Sequence, residues 1–299
     1  MDNSNTGKTK ALFIVNPFSG IGRHQEINNH LAKVLDHDKF EYTVEYTEEI
    51  GHATELCKMG VENGCKMIVA VGGDGTVNEV SRPLINTEIP MGIIPSGSGN
   101  GLARHLGIPM ETDKAIRLIN NGHIKPIDTV KANDHLFLSI AGIGFDALVA
   151  RKFAKQKFRG FLKYVFISIT EFFPYEPTTF VMTADGQEIE REALFISFAN
   201  SNQFGYNTII SPEAKIDDGL VDICIVKKFP AWVSPFLAPM LIAKKIDQTP
   251  YVEIIRAKEV FVKRKHKYMN LDGEPIKLKK RLHIRVIPKS LNVLVASTS

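Results

Sequence analysis

The sequence predicts an α/β domain with a doubly wound, mostly parallel sheet, followed by a mostly antiparallel β domain. Three observations predict it. Met67-Ile68-Val69-Ala70-Val71 is an unbroken apolar run, the pattern of a strand buried on both faces of a parallel sheet. It ends in Gly72-Gly73-Asp74-Gly75-Thr76, and two other expected strands end in glycine-bearing loops, Asn16 to Arg23 and Ser96 to Gly101. After Asn121-Gly122 the alternation of strands and helices stops. Short β-type runs then follow, many separated by Asn-Asp or Asp-Gly turns.

The central turn carries the chemistry. Glycines let backbone N–H groups approach a ligand without a Cβ in the way. Together with the positive end of the following helix, those groups favour a phosphate. Thr76 reads as the cap of a helix that continues through Val77-Asn78-Glu79-Val80. Asp74 alone would repel a phosphate. It fits a residue that holds a magnesium ion bridging to phosphate oxygens, or one that takes a proton from an attacking hydroxyl. In an open α/β sheet ligands bind at the carboxyl ends of the strands, so three glycine loops delivered there point to one phosphate-binding edge.

Taken in order, Asp2 to Thr9 reads as a disordered lead. Its Gly7-Lys8-Thr9 is not a Walker loop, because Asp2 stands where the first glycine is needed and the tripeptide precedes the first strand. Ala11 to Val15 is that strand, and Ile27, Leu31, Val34 and Leu35 lie on one face of a helix. Glu41 to Thr47 alternates as a strand, and Gly51-His52-Ala53 opens a helix ended by Gly64. Pro83 must end or kink the helix from Val77. Met91 to Pro95 is a further strand, running into the third loop and a helix through His105; Ala115 to Asn120 is another helix. The fingerprint G-x-G-x-x-G fails at every register, for example Gly97, Gly99, Leu102, which disfavours an NAD-binding oxidoreductase.

Strands are expected at Ile127 to Lys131, Leu136 to Ala141, Thr179 to Thr183, Ala193 to Phe198, Val221 to Val226, Val252 to Arg256, Glu259 to Lys263 and Leu282 to Ile287. A last apolar strand, Leu291 to Ala296, is placed to pack back on the first domain, and a helical insertion covers 146 to 173. Two apolar stretches, Phe158 to Pro174 and Phe229 to Ala243, read first as core-packing helices. The alternative is that one lines a lipid site or dips into a membrane interface.

Composition excludes several classes. Hydrophobic content of 44% and charged content of 23% are ordinary for a globular protein, and a net charge of +4 provides no field for nucleic acid. Positive charge clusters at Lys152 to Arg159, Lys263 to Lys267 and Lys277 to Arg281. These read as solvated faces, with an anionic membrane surface as the second candidate. Cys57, Cys65 and Cys224 are scattered without metal-ligand spacing, as in a cytoplasmic protein with reduced thiols. No stretch reaches the roughly 18 to 20 apolar residues of a spanning helix, and Met1 to Lys10 lacks the apolar core of a secretion signal. His24, His52 and His105 read as surface or capping residues.

Gly72-Gly73-Asp74-Gly75-Thr76 with Asn78-Glu79, and Pro95-Ser96-Gly97-Ser98-Gly99-Asn100 one strand later, together resemble the diacylglycerol kinase catalytic-domain family, which includes bacterial soluble lipid kinases, sphingosine kinases and ceramide kinase. Asn16-Pro17-Phe18-Ser19-Gly20, Ile127-Asp128, Gly142-Ile143-Gly144-Phe145-Asp146, Asp217-Asp218-Gly219-Leu220 and Leu271-Asp272-Gly273-Glu274 extend the likeness over nearly the whole chain. The resemblance implies a nucleotide-binding domain like that of NAD kinases and phosphofructokinases over 1–126, a β-sandwich lipid-substrate domain over 127–288 with the cleft between them, and a returning strand in 289–299. It implies ATP contacts at Asn16, Pro17, Phe18, Ser19, Gly20, Thr47, Gly72, Gly73, Asp74, Gly75, Thr76, Val77, Asn78, Gly97, Ser98, Gly99 and Asn100. Glu274 would be the general base, with Asp74 and Asp128 near magnesium and the phosphates. Lys215 and Leu220, through carbonyls, and Asp218, through its carboxylate, would hold a structural magnesium. Asp146 stands where the sphingosine-kinase branch recognises the lipid head group.

Gly97-Ser98-Gly99-Asn100-Gly101 departs from the Gly-Thr-x-Asn-Asp of bacterial diacylglycerol kinases and looks more like the sphingosine and ceramide kinase branch. The expected function is an ATP- and Mg2+-dependent kinase of a diacylglycerol-like or sphingoid-like lipid, soluble and acting at the inner membrane surface. Two alternatives stay open: an NAD kinase, which shares the Gly-Gly-Asp-Gly turn, and a nucleotide-sensing or membrane-tethering module without catalysis. The sequence leaves a homodimer open as well.

Overall fold

The computed structural model describes residues 7–20, 26–156, 161–205, 208–263, 267–278 and 281–296. Several expectations fall outside them: disorder over Asp2 to Thr6, the loop residues Ile21-Gly22-Arg23 with His24, and the ends or centres of the three basic clusters (157–159, 264–266 and 279–280). The chain folds as two compact units, 1–126 with 290–299, and 127–289.

The first unit runs β1 (Thr9–Val15), α1 (Ile27–Val34), β2 (Phe40–Tyr46), α2 (His52–Glu62), β3 (Met67–Gly72), α3 (Asp74–Ser81), β4 (Met91–Pro95), α4 (Gly101–His105) and α5 (Thr112–Asn121). Its strands lie in the order β2-β1-β3-β4, all parallel. Every residue of the central β3 is buried, as its unbroken apolar run requires. Helices pack in pairs, α1 on α5 and α2 on α3, which makes the sheet doubly wound. Register positions the site: Val15 lies beside Val71, and Gly72 beside Pro95. The loops after β1, β3 and β4 therefore leave one sheet edge together.

Two local expectations change. Thr9, expected in a disordered lead, already belongs to β1. Helix α3 starts at Asp74, with extended Gly73 as its cap, so Thr76 sits inside the first turn instead of opening it. Three residues follow in a 3-10 turn that contains Pro83, which ends α3 where the missing N–H demands.

Strand β5 (His123–Ala132) begins in the first unit and runs into the second, which contains β6 (His135–Phe137), β7 (Ile140–Gly144), α6 (Phe145–Ala154), α7 (Phe161–Phe172), β8 (Thr178–Ala184), β9 (Gln187–Ala193), β10 (Phe195–Ala199), β11 (Gln203–Gly205), β12 (Thr208–Ile209), β13 (Val221–Val226), α8 (Ser234–Ile242), β14 (Val252–Ala257), β15 (Glu259–Val262), β16 (Tyr268–Leu271), β17 (Glu274–Lys277) and the first part of β18 (His283–Val295). One antiparallel sheet has the order β14-β13-β10-β7-β16-β17. Strands β9, β8, β15 and the start of β18 form a second antiparallel array. Phe180 and Met182 from one array meet Phe198, Ile223 and Ile225 from the other in a shared core. At the chain's end Val293 pairs in parallel with Met91 of the first unit's sheet.

The expected strand Leu136 to Ala141 is two strands in different sheets. The reason is chemical: the N–H groups of Leu138, Ser139 and Ile140 all donate to the Asp272 carboxylate and leave the ladder. Strand β9 escapes the sequence pattern, since Gln187 to Glu192 carries only one apolar residue. The two expected C-terminal strands are one, β18, with Pro288 and the left-handed Lys289 inside it. The core-packing expectation for the apolar stretches holds on one face only. Ile167, Val233 and Leu237 are buried, whereas Leu162, Phe166, Ile169, Phe173, Trp232 and Phe236 face solvent.

Candidate active site

In the first unit side chains lock the three glycine loops together. Asn16 Nδ2 donates to Thr76 Oγ1 at 3.0 Å, and its Oδ1 accepts the Phe18 N–H at 2.9 Å. The Ser19 hydroxyl lies 2.8 Å from the Asn16 carbonyl and 2.7 Å from the Ser96 hydroxyl. Asp74 Oδ1 accepts the Gly101 N–H at 2.7 Å. First loop, second loop and third loop are thus one hydrogen-bonded assembly.

The glycines are there because backbone meets backbone. A Cβ on Gly97 would lie 2.5 Å from the Gly73 Cα and 2.9 Å from Asn100 Oδ1. One on Gly99 would lie 2.8 Å from Asp74 Oδ2, and one on Gly72 would overlap the Thr76 side chain. Asn100 holds the third loop closed, donating to the Gly97 carbonyl and accepting its N–H, from a left-handed conformation that asparagine tolerates. The result is a strand-edge cradle of peptide groups with a carboxylate at its centre.

The other expected nucleotide contacts differ in their settings. Pro17, Gly20 and Gly75 lie in or beside the cradle loops, Phe18 and Ser98 are exposed, and Val77 is buried in α3. Thr47 is buried beside the start of the first loop, its N–H on the Val15 carbonyl. Asn78 is turned to Arg82, whose guanidinium donates twice to its Oδ1. Glu79, which enters the sequence reading only as part of a motif, accepts the Gly51 N–H at 2.9 Å and so fixes the start of α2. His52 caps locally, accepting the Glu48 N–H.

In the second unit Asp128 is fully buried on β5, and its two oxygens accept the Gly219 and Lys289 N–H groups at 2.6 and 2.7 Å. Burial pushes its carboxyl up, and the nearby Asp218 and Asp217 charges push the same way against those two hydrogen bonds. The structure therefore brings Asp128 to the 217–220 turn, where Asp218 Oδ1 accepts the Leu220 N–H. Among the described residues no group of three or more His, Cys, Asp or Glu is arranged to hold a metal. The donors of Lys215, Asp218 and Leu220 are all oxygens, the hard type that magnesium takes, and only one of them is a side chain.

Asp146 lies in the first turn of α6 and is buried. Burial pushes its carboxyl up to about 6, against the Asn270 amide, which donates to it at 2.9 and 3.2 Å. Gly142 is the neighbour of both Ser197 and Asn270 in the sheet, and a Cβ there would overlap the Asp146 carboxylate. Ser197, Gly142 and Asn270 form one row on the face that Asp146 covers. The Ser197 hydroxyl is buried and finds no partner among the described residues.

Glu274 begins β17 and is exposed. It follows Asp272 and Gly273, both with positive φ (49° and 92°), a tight hairpin turn of the mirror-image kind. Besides accepting three N–H groups, Asp272 donates its own N–H to the Ile140 carbonyl. Asn270 accepts the Gly273 N–H at 3.1 Å. Sequence reasoning missed Asn270, Ser197 and Asn200; the last donates to the Asp128 and Leu138 carbonyls. Neither asparagine carries a signal of burial in a single sequence: Asn270 is one polar residue in a short strand, and Asn200 opens the polar run Asn200 to Gln203, which reads as a surface turn.

Residues 10–132 match the diacylglycerol kinase catalytic domain, and residues 139–295 match the YegS C-terminal NAD kinase beta sandwich-like domain. A diacylglycerol kinase of Bacillus subtilis strain 168 is 31% identical over 276 residues, 89% of each chain. One from Mycobacterium tuberculosis strain H37Rv is 28% identical over 299 residues, 96% of this chain and 95% of that one. A solved structure of a diacylglycerol kinase from Bacillus anthracis strain Sterne superposes with a TM-score of 0.73 at 26% identity, covering 97% of both chains. The order of motifs, the parallel α/β unit with its glycine loops and the antiparallel unit after it agree with these matches: the chain belongs to the diacylglycerol kinase catalytic-domain family, with a YegS-type β-sandwich domain at its C-terminal side.

Proposed function

We propose that the protein is a lipid kinase that transfers the γ-phosphoryl group of ATP, with Mg2+, to a hydroxyl of a diacylglycerol-like or sphingoid-like lipid at the cytoplasmic membrane surface. The observation that carries the reading is the glycine cradle, in which Gly73 and Gly97 touch backbone to backbone and the three loops are tied by Asn16, Ser19 and Asp74. Phosphoryl transfer requires positioning and charge neutralisation more than covalent chemistry, and rigid glycine loops that let a triphosphate approach the backbone serve the positioning. The names of the relatives support the same class.

In this reading the loops Asn16 to Gly20, Gly72 to Asn78 and Gly97 to Asn100 bind and orient ATP, with Thr47 lining its path. Asp74 and Asp128 are the acids that would lie near a magnesium ion, which would supply neutralisation of phosphate charge. Lys215 and Leu220 through carbonyls and Asp218 through its carboxylate would hold a structural ion. Glu274 accepts the proton of the lipid hydroxyl, which is a poor nucleophile until a carboxylate does so. Asp146 and Ser197 meet the polar head of the lipid: a buried acid oriented by Asn270, near a buried hydroxyl that has no partner among the described residues, suits a hydroxyl- or amine-bearing group.

Labelled ATP and Mg2+ with mixed micelles of diacylglycerol, sphingoid base, ceramide or monoacylglycerol, and with NAD in a parallel reaction, test the reading. Phosphorylated lipid is expected. Label on NAD alone moves the function to an NAD kinase, and nucleotide binding with no labelled product supports a sensing module instead.

A further inference from the structure

Helix α3 reaches the three neighbouring strand-end loops of the first unit, with one side chain for each. Asp74 Oδ1 accepts the N–H of Gly101, where the loop after β4 ends, at 2.7 Å. Thr76 Oγ1 accepts the Asn16 amide, where the loop after β1 starts, at 3.0 Å. Glu79 Oε1 accepts the Gly51 N–H, where the loop after β2 ends, at 2.9 Å. The first two ties close the glycine cradle. The third runs to a loop of different composition, Thr47-Glu48-Glu49-Ile50-Gly51, whose single glycine stands at its end. Gly51 takes φ 94°, a conformation that favours glycine, and caps α2 from there. The Thr54 hydroxyl, one turn into α2, donates back to the Glu79 carbonyl at 2.9 Å.

Register decides what this loop can meet. Tyr46 pairs with Val15, and the Thr47 N–H donates to the Val15 carbonyl at 2.9 Å, so the loops after β2 and β1 start side by side. The strand order β2-β1-β3-β4 puts the 47–51 loop two strands, roughly 10 Å, from the glycine turn after β3. A nucleoside triphosphate with its phosphates on the β3 and β4 loops, running along the edge toward β2, brings its base to this loop. Charge agrees with that direction. Glu48 and Glu49 are exposed acids, which repel phosphate and leave an uncharged base unaffected. The loop is held from outside itself: His52 accepts the Glu48 N–H at 3.1 Å, and Glu79 holds the Gly51 end.

We propose that Glu79 is a positioning residue for nucleotide recognition: through Gly51 it sets the Thr47–Gly51 loop as the wall against which the base of ATP rests. One helix then aligns both ends of the nucleotide, the phosphates through Asp74 and Thr76 and the base through Glu79. The inference deepens the ATP reading and rests on it. Glu79 acts through a loop and its carboxylate is spent on Gly51, so its loss is felt by the nucleoside part of the ligand and not by the phosphates.

Titration calorimetry without lipid, with ATP and with inorganic tripolyphosphate, each with Mg2+, separates the two parts. Glu79→Ala is expected to weaken ATP roughly tenfold and to leave tripolyphosphate within about twofold. Glu79→Gln keeps an acceptor for the Gly51 N–H and should hold ATP within about threefold of the unaltered protein. Gly51→Ala strains the same turn without touching α3 and should repeat the split, with circular dichroism checking that each variant is folded. Equal losses on both ligands, or an ATP affinity that Glu79→Ala leaves unchanged, would overturn the assignment. So would an unaltered protein that binds tripolyphosphate as tightly as ATP, although phosphoryl transfer would then still stand. An unaltered protein that binds neither ligand would overturn the ATP reading and this inference together.

Discussion

Asp74 Oδ1 accepts the backbone N–H of Gly101 at 2.7 Å, so the acid of the second glycine loop also holds the first residue of the helix after the third. Asp74 therefore carries two duties, one structural and one proposed for catalysis, and a substitution can separate them. Asp74→Asn keeps an oxygen acceptor for Gly101 and is expected to change stability by less than about 1 kcal/mol. Its rate of phosphoryl transfer should fall by roughly 10² to 10⁴. Urea unfolding beside steady-state kinetics measures both; a fully active variant would refute the catalytic role.

Gly97→Ala puts a methyl group against the Gly73 Cα and Asn100 Oδ1. Backbone cannot swing aside as a side chain would, so the cost is expected at about 1–3 kcal/mol. Because the clash lies in the nucleotide loops, KM for ATP should rise while KM for the lipid stays level. The exposed neighbour Ser98 makes the control: Ser98→Ala should leave stability where it was.

Asp146 titrates at about 6 because burial disfavours its charge. An unfolded aspartate titrates near 4. Between roughly pH 4 and pH 6 the folded state binds the extra proton, so this group's contribution to stability is greatest below pH 4, declines as pH rises, and is flat above about 6. Asp146→Asn should remove that slope and raise stability at pH 7 by something on the order of 2 kcal/mol. The same substitution should raise KM for the lipid, and in the unaltered enzyme KM should climb as pH falls through about 6. Matching pH–stability curves for the two proteins would contradict the buried-acid account.

Asp272 is expected to matter to folding and Glu274, two residues on, to activity. Asp272→Ala strips the partner from three backbone N–H groups, a loss of about 2–4 kcal/mol. Glu274 is exposed, and Glu274→Gln should unfold at the same urea concentration as the unaltered protein.

These residues also show what a sequence does and does not display. The central strand and the glycine loops are readable because an unbroken apolar run and a three-glycine turn are local signals, and each is explained by a contact that the fold makes. Asp272 is readable only as half of a turn, since its three acceptor bonds reach residues more than a hundred positions away. Helix α3 starts two residues before its expected cap because Thr76 is engaged by Asn16, across sixty residues. The apolar stripes are visible as stripes, but a hydrophobic period does not say which side faces water. Burial settles that, and it divides α7 between core and surface.

The central claim is that this chain's own acids drive transfer from ATP to a lipid hydroxyl. Phosphorylation of diacylglycerol in mixed micelles, followed in parallel with equilibrium binding of ATP for the unaltered protein and for Glu274→Gln, tests it most directly. The account predicts labelled phosphatidic acid from the unaltered protein, product reduced roughly 10²-fold or more in the variant, and equal ATP affinity in both. Undiminished product from Glu274→Gln would contradict it.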